Sequence, residues 1–170
     1  MLTIRIIMTI MVMAKWVSDV VDVKGAFLYG EFMDGKDILM EVPQGWESIY
    51  PPNTVLKLMK IIYGLKQAAM ACWRQLLMCM RHMEMKRNTA DPCLYYKWTN
   101  LGLVVIVSWI DNNLICGSRE NVVNVKHKLI EWSDCEDCRE FDKFLCNKIT
   151  KLENGAMKMM QPMLIQNFKD

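Results

Sequence analysis

The segment Val105–Gly117, with the sequence VIVSWIDNNLICG, sets the architecture of this chain. An apolar run, a polar turn that carries Asp111, and a second apolar run ending in glycine predict a β-hairpin with a carboxylate at its tip. A second aspartate, Asp22, follows the largely apolar segment 17–21 in the same way. Two strand-end aspartates that meet in space can hold a pair of divalent cations against a phosphate.

The elements around this hairpin predict an α+β fold. Residues 2–16 read as a helix that is apolar nearly all round, residues 66–85 as a helix of about five turns, and a third helix follows the N-cap candidate Ser118 as far as Trp132. Strands are predicted at residues 17–23, 55–62, 94–98, 103–109, 114–116 and 141–152. This order predicts one domain over residues 1–170, an antiparallel sheet with helices packed on one face.

Composition limits the class of protein. A chain of 170 residues with 52% hydrophobic and 24% charged residues is not globally disordered. Seven cysteines without regular spacing indicate reduced thiols and an intracellular protein. The apolar run Ile6–Ala14 is too short to span a bilayer, and no small-residue cleavage site follows it. We therefore expect a buried helix there, no signal peptide and no membrane association.

Charge is unevenly distributed although the net charge is only +2. Between Lys57 and Arg87 there are seven basic residues against Glu84 alone, whereas residues 131–142 carry six acids against Arg139. The basic stretch could face a phosphate backbone. A solvated helix face is the alternative interpretation of the same charges.

Residues Asp22–Gly30 read DVKGAFLYG and fit every fixed position of the motif Asp-Val-x-x-Ala-Phe-Leu-x-Gly. This motif is typical of the reverse transcriptases of copia-type LTR retrotransposons, and the chain resembles that family. The resemblance implies that Asp22 bridges two Mg²⁺ ions and that the Val23 carbonyl touches one of them. It also implies that Phe27 is the aromatic gate that clashes with a ribose 2′-hydroxyl and so favours deoxynucleotides.

Residues 63–73, YGLKQAAMACW, resemble the family motif Tyr-Gly-Leu-Lys-Gln-Ala-Pro-Arg-x-x-Trp. The resemblance implies that Gly64 allows close approach of a base or template strand, that Lys66 contacts phosphate, and that Gln67 hydrogen-bonds at the incoming nucleotide. Residues 69–70 are Ala-Met where the family has Pro-Arg, so a cation near the nucleic acid is lost.

Residues 109–112, Trp-Ile-Asp-Asn, resemble the catalytic Tyr-Val-Asp-Asp of the family. Asp111 would be the second metal ligand, and Asn112 keeps a carbonyl oxygen but loses a charge. One unit charge pair at about 4 Å contributes roughly 4 kcal/mol at an effective dielectric of about 20, and each 1.4 kcal/mol is about tenfold. A loss of about a thousandfold is expected. Two further landmarks also match, at residues 91–95 and 144–146, although Cys146 replaces a glycine.

The resemblance implies the palm region of an RNA-directed DNA polymerase, which adds deoxynucleotides to a primer 3′-end on an RNA or DNA template. The parent element would supply integrase and RNase H. We expect a partial copy without fingers and thumb, catalytically inactive or nearly so, with Asp22, Asp111 and Asn112 at its catalytic centre. Two other functions stay open: a non-catalytic nucleic-acid-binding module on the palm fold, and a small secreted Met-rich protein.

Overall fold

The computed structural model describes residues 2–24, 37–62, 64–132, 135–137, 143–144, 147–153, 155–162 and 166. The chain divides into two compact units, residues 25–76 and the remainder, 1–24 with 77–170. The elements in chain order are α1 Leu2–Ala14, β1 Val17–Val23, β2 Leu39–Glu41, β3 Val55–Lys57, α2 Ala68–His82, β4 Lys86–Arg87, β5 Leu94–Thr99, β6 Gly102–Trp109, β7 Asn112–Gly117, α3 Arg119–Trp132, β8 Cys135–Asp137, β9 Lys143–Phe144, β10 Asn147–Lys151 and β11 Met157–Met160.

A six-stranded antiparallel sheet organises the described part of the larger unit. Its strand order is β4-β5-β6-β7-β1-β8, and every neighbouring pair is antiparallel. A second sheet, β11-β10-β9, belongs to the same unit, and β2 pairs with β3 in the other. The predicted α+β class is confirmed.

One face of the large sheet is covered by α1. Residues directly opposite each other on antiparallel strands point to the same face, so the register places alternate residues of β1, β6 and β7 on this side. They form a core with the buried side of α1 and with Ile149 of β10; its sheet and helix members are Val20, Val105, Val107, Leu114, Cys116, Ile4, Ile7, Met8 and Met11. Burial of these apolar side chains is the main force that holds α1 in place.

The opposite face of the sheet packs against α3, whose Val122 and Leu129 are almost fully buried. Lys126 of α3 donates to Asp19 of β1 at 3.0 Å in an ion pair that is mostly shielded from solvent. The Asn121 side chain accepts from the Thr99 hydroxyl at 3.0 Å, which ties the start of α3 to the β5–β6 turn. The prediction that helices pack on one face only is therefore wrong, because α1 and α3 cover opposite faces.

Two predicted strands are shorter than expected. The segment 55–62 is a strand only at Val55–Lys57, because β2 offers only the three partners Leu39–Glu41. The segment 141–152 contains two strands, since β9 pairs antiparallel with β10. None of the helices in the described ranges is long and apolar enough to cross a bilayer.

Candidate active site

The tip of the β6–β7 hairpin is formed by two residues, Ile110 and Asp111, between strand ends Trp109 and Asn112. Ile110 adopts φ 58, in the left-handed region. A β-branched side chain is rarely found there because it crowds the backbone. Trp109 and Ile110 are each about half exposed, at 51% and 55%. The tip is thus a tight, strained and solvent-facing turn.

The structure brings the two motif aspartates to the same end of the sheet. Asp22 of β1 is the register partner of Asn112 of β7. The next residue, Val23, donates its backbone N–H to the Asp111 carbonyl at 2.9 Å. Four predicted site residues, Asp22, Val23, Asp111 and Asn112, therefore lie together where β1 meets the hairpin tip.

Within this group, position 112 lies directly across from Asp22. Cross-strand partners present their side chains on the same face of a sheet, so the missing carboxylate of the Tyr-Val-Asp-Asp pattern is the one that would face Asp22. The family motif predicts the loss of charge at Asn112, whereas the position of Asn112 opposite Asp22 is visible only in the strand register. The register therefore makes Asn112 part of the Asp22 environment.

The next two residues in the chain, Asn112 and Asn113, both donate hydrogen bonds from their side-chain amides to Asp111. Asn112 Nδ2 donates to Asp111 Oδ1 at 3.0 Å, and Asn113 Nδ2 donates to the Asp111 carbonyl at 3.2 Å. Asn113 is fully buried, with 0% of its surface exposed. The sequence pattern predicts Asn113 in the turn, without a role. Its two-residue spacing from the apolar Ile115 on β7 is the signal that its side chain points into the core.

The donor atoms fit a hard divalent cation in type. Asp22 and Asp111 offer carboxylate oxygens and Val23 offers a carbonyl, which are the ligands that Mg²⁺ prefers. Among the residues whose side chains are described, no group of three or more His, Cys, Asp or Glu could hold a metal ion. Asn112 brings a neutral oxygen where an aspartate would bring a charge, so this set is weaker than one with three carboxylates.

The other four predicted site residues, Phe27, Gly64, Lys66 and Gln67, belong to the unit of residues 25–76. Gly64 has φ 90, and a Cβ built there would meet nothing within 4 Å, so glycine is favoured by the backbone conformation and not by a packed neighbour. Lys66 and Gln67 are exposed in the turn before α2. The Gln67 carbonyl accepts from Ala71 N at 3.0 Å. Phe27 lies outside the described residues, and its role as a sugar gate stays a prediction.

The sequence of the chain matches a known class of proteins. Residues 1–168 match the reverse transcriptase (RNA-dependent DNA polymerase) family. The chain therefore belongs to the reverse transcriptase family, and its resemblance to the copia-type members is confirmed by its relatives.

Three relatives show the relationship. The chain is 29% identical, over 89% of its length, to the retrovirus-related Pol polyprotein from transposon TNT 1-94 of Nicotiana tabacum. It is 29% identical over 90% of its length to the corresponding polyprotein from transposon RE1 of Arabidopsis thaliana. A putative transposon Ty5-1 protein of Saccharomyces cerevisiae is 28% identical over 81% of the chain. The aligned region covers 11%, 10% and 44% of these relatives.

Proposed function

We propose that this chain forms the palm region of a copia-type RNA-directed DNA polymerase, in which Asp22 and Asp111 bind two Mg²⁺ ions. The reaction is addition of a deoxynucleotide to a primer 3′-end on an RNA or DNA template. The Val23 carbonyl would complete the ligand set, and Phe27, Gly64, Lys66 and Gln67 would meet the nucleotide and template. Integrase and RNase H would be its neighbours in the parent polyprotein.

The observation that carries this proposal is the junction of β1 with the hairpin tip. Two motifs that are 89 residues apart in sequence, at positions 22 and 111, meet through the backbone bond from Val23 to Asp111. When bound, the metal pair supplies charge stabilisation and activates the attacking oxygen. The protein contributes placement, since Asp22 lies near the end of β1 and Asp111 lies in the turn of the adjoining hairpin.

We further propose that Asn112 leaves this copy impaired. Position 112 faces Asp22, where an extra negative charge would help to hold two mutually repelling cations. The site is partly exposed, and solvent screens this contribution. We therefore expect a lower metal affinity and slow or absent primer extension, not a loss of the fold.

Calorimetric Mg²⁺ titration with a primer-extension assay tests both proposals on three variants. Asn112→Asp should bind Mg²⁺ at least about tenfold more tightly than the unmodified chain, because it restores a charge opposite Asp22. Asp22→Asn should abolish binding. Asn100→Asp makes the same charge change in the exposed β5–β6 turn and should leave binding unchanged. Robust extension by the unmodified chain would refute the impairment, and equal affinity in Asn112→Asp would refute the metal site.

A second candidate, a non-catalytic nucleic-acid-binding module, is favoured by one observation. The seven basic residues between positions 57 and 87 are all exposed. Exposed cations that neutralise phosphates give binding that weakens as salt rises. This function requires no metal, so RNA binding that is unchanged by EDTA in a chain that binds no Mg²⁺ would favour it over the polymerase.

A further inference from the structure

The hairpin tip needs an external restraint to keep its conformation. Ile110 at φ 58 is strained, and strain of this kind costs of the order of 1–3 kcal/mol and persists only where the surroundings over-determine it. Two hydrogen bonds converge on the carbonyl of the next residue, Asp111: one from Val23 N at 2.9 Å and one from Asn113 Nδ2 at 3.2 Å. They are the contacts that fix the peptide between Asp111 and Asn112, one residue beyond the strained Ile110.

The Asn113 side chain makes this bond from an unfavourable position. It is fully buried on the α3 face of the sheet, in a cross-strand row with Val21 and Ser108. Its Oδ1 has no hydrogen-bond partner among the described residues, and the same holds for Ser108 Oγ beside it. An unsatisfied buried acceptor destabilises the folded state. An apolar residue of similar volume would suit this layer better on grounds of stability alone.

From this opposition we infer that Asn113 is a positioning residue: its amide clamps the Asp111 carbonyl and thereby fixes the direction in which the Asp111 carboxylate leaves the tip. The consequence for metal binding rests on the proposed function, but the clamp itself does not. Asn113 occupies a mostly apolar layer at the expense of folding stability, and its amide secures the geometry of the tip.

Hydrogen exchange in the Asn113→Leu variant tests the clamp without reference to activity. Leu has the same branched shape as Asn, although a larger volume, and it removes the donor and the unsatisfied acceptor together. Exchange of the Ile106 amide, in the centre of the sheet, should slow or stay constant because global stability rises or is unchanged. Exchange of the Val23 amide, which bonds to Asp111, should become about tenfold faster because the tip opens locally. Parallel changes at both amides would overturn the inference, since a purely structural residue affects them alike.

Two matched variants sharpen the result. Ser108→Ala removes the neighbouring unsatisfied atom on the same face without touching Asp111, so it should leave Val23 exchange unchanged relative to Ile106. Ile110→Asn, introduced into Asn113→Leu, should restore slow Val23 exchange because asparagine tolerates positive φ better than isoleucine. If Leu overpacks the site and the variant does not fold, Asn113→Ala removes the same donor without added volume. Failure of the rescue would contradict the strain argument.

Mn²⁺ titration followed by electron paramagnetic resonance links the clamp to the site. In the Asn112→Asp background, Asn113→Leu should lower Mn²⁺ affinity several-fold while Ser108→Ala should not. Fast Val23 exchange with unchanged Mn²⁺ affinity would show that the clamp does not position a metal ligand. Absence of Mn²⁺ binding in the Asn112→Asp background itself would instead refute the proposed function, and the exchange data would still decide the clamp.

Discussion

At the scale of single residues, position 112 balances two demands. As asparagine it donates to Asp111 Oδ1 at 3.0 Å and adds no charge beside Asp22, so it suits a metal-free tip. As aspartate it would place like charges side by side, which is unfavourable until a cation neutralises them. The residue that favours metal binding is thus the one that destabilises the metal-free chain.

This balance predicts opposite thermal shifts in Asn112→Asp. In EDTA its melting temperature should fall, because a hydrogen bond that contributes about 1 kcal/mol is replaced by repulsion. Saturating Mg²⁺ should raise the melting temperature, because Mg²⁺ at a hundred times its dissociation constant adds about 2.7 kcal/mol to the free energy of unfolding. Calorimetry of the variant and of Asn100→Asp, with and without Mg²⁺, measures both. A melting temperature in EDTA equal to that of the unmodified chain would contradict the predicted repulsion.

The residues of the hairpin tip could be predicted from the sequence, but their conformation could not. The motif spacing predicted that Asp22 and Asp111 would come together, because both end apolar strands. It placed residues 112–113 in the turn, since asparagine is common in turns and rare in strands. Pairing with β1 overrides that preference and extends β7 to Asn112. The turn then shrinks to Ile110 and Asp111, and the strain at Ile110 has no signal in local propensity.

At the scale of elements, a polar contact supplements the apolar packing of α1. Thr3 Oγ1 donates to Asp91 Oδ2 in the loop before β5, and Asp91 Oδ1 also accepts from Cys93 N at 2.9 Å. The Thr3 bond, followed by the Cys93 bond, lowers the pKa of Asp91. The ionised carboxylate therefore joins the first turn of α1 to the start of a sheet strand.

Thr3→Val should consequently destabilise the chain in a pH-dependent way. At pH 7 the loss should be about 1 kcal/mol, as for one hydrogen bond at a partly exposed site. A carboxylate with a lowered pKa contributes stability above its unfolded value of about 3.9, and this contribution is lost as pH falls through the folded pKa. The loss should therefore be smaller at pH 3, as urea denaturation can measure. Thr9→Val, which alters a hydroxyl bonded only within α1 to the Arg5 carbonyl, is the matched control and should change stability little. An equal loss at both pH values would contradict a role for the ionised carboxylate.

Most elements of the sheet could be predicted, but the side on which α1 packs could not. β1 was predicted with its observed bounds, and β5 and β6 within one residue, because apolar runs between turn residues are strong strand signals. The central run Val104–Val107 is buried on both sides, so it does not show which face takes which helix. The sequence of α1 does not show which face of the sheet the helix covers either, since the helix is apolar nearly all round. The face that α1 covers is shown only by the tertiary structure, in which Met11 of α1 and Ile149 of β10 pack in one cluster with residues from the same face of β1, β6 and β7.

At the scale of the whole molecule, the small net charge of +2 conceals exposed basic residues. Three of them, Lys66, Arg74 and Arg81, lie in or just before α2 and are all exposed. A matched set of exposed cations lies in β10 and β11, at Lys148, Lys151 and Lys158. Both the polymerase and the binding-module proposals require contact with nucleic acid. The resemblance implies a phosphate contact for Lys66, and the charge of the Lys57–Arg87 stretch makes Arg74 and Arg81 candidates for further contacts.

Replacing each set of three with glutamine should therefore have unequal effects on RNA binding. For single strands, the logarithm of affinity falls with the logarithm of salt concentration with a slope of about −0.7 per neutralised phosphate. The first triple variant should flatten this slope by about 2, whereas the second should leave it nearly unchanged. Fluorescence anisotropy with a labelled single-stranded RNA over a salt series measures both slopes, in EDTA and in Mg²⁺.

Equal flattening by the two sets would mean that binding follows net charge alone and would remove the special role of residues 57–87. If the first triple variant flattens the slope equally with and without Mg²⁺, the binding module is favoured. If Mg²⁺ tightens RNA binding and Asp22→Asn abolishes this effect, the polymerase is favoured, because only a metal held at the hairpin tip can couple Asp22 to RNA.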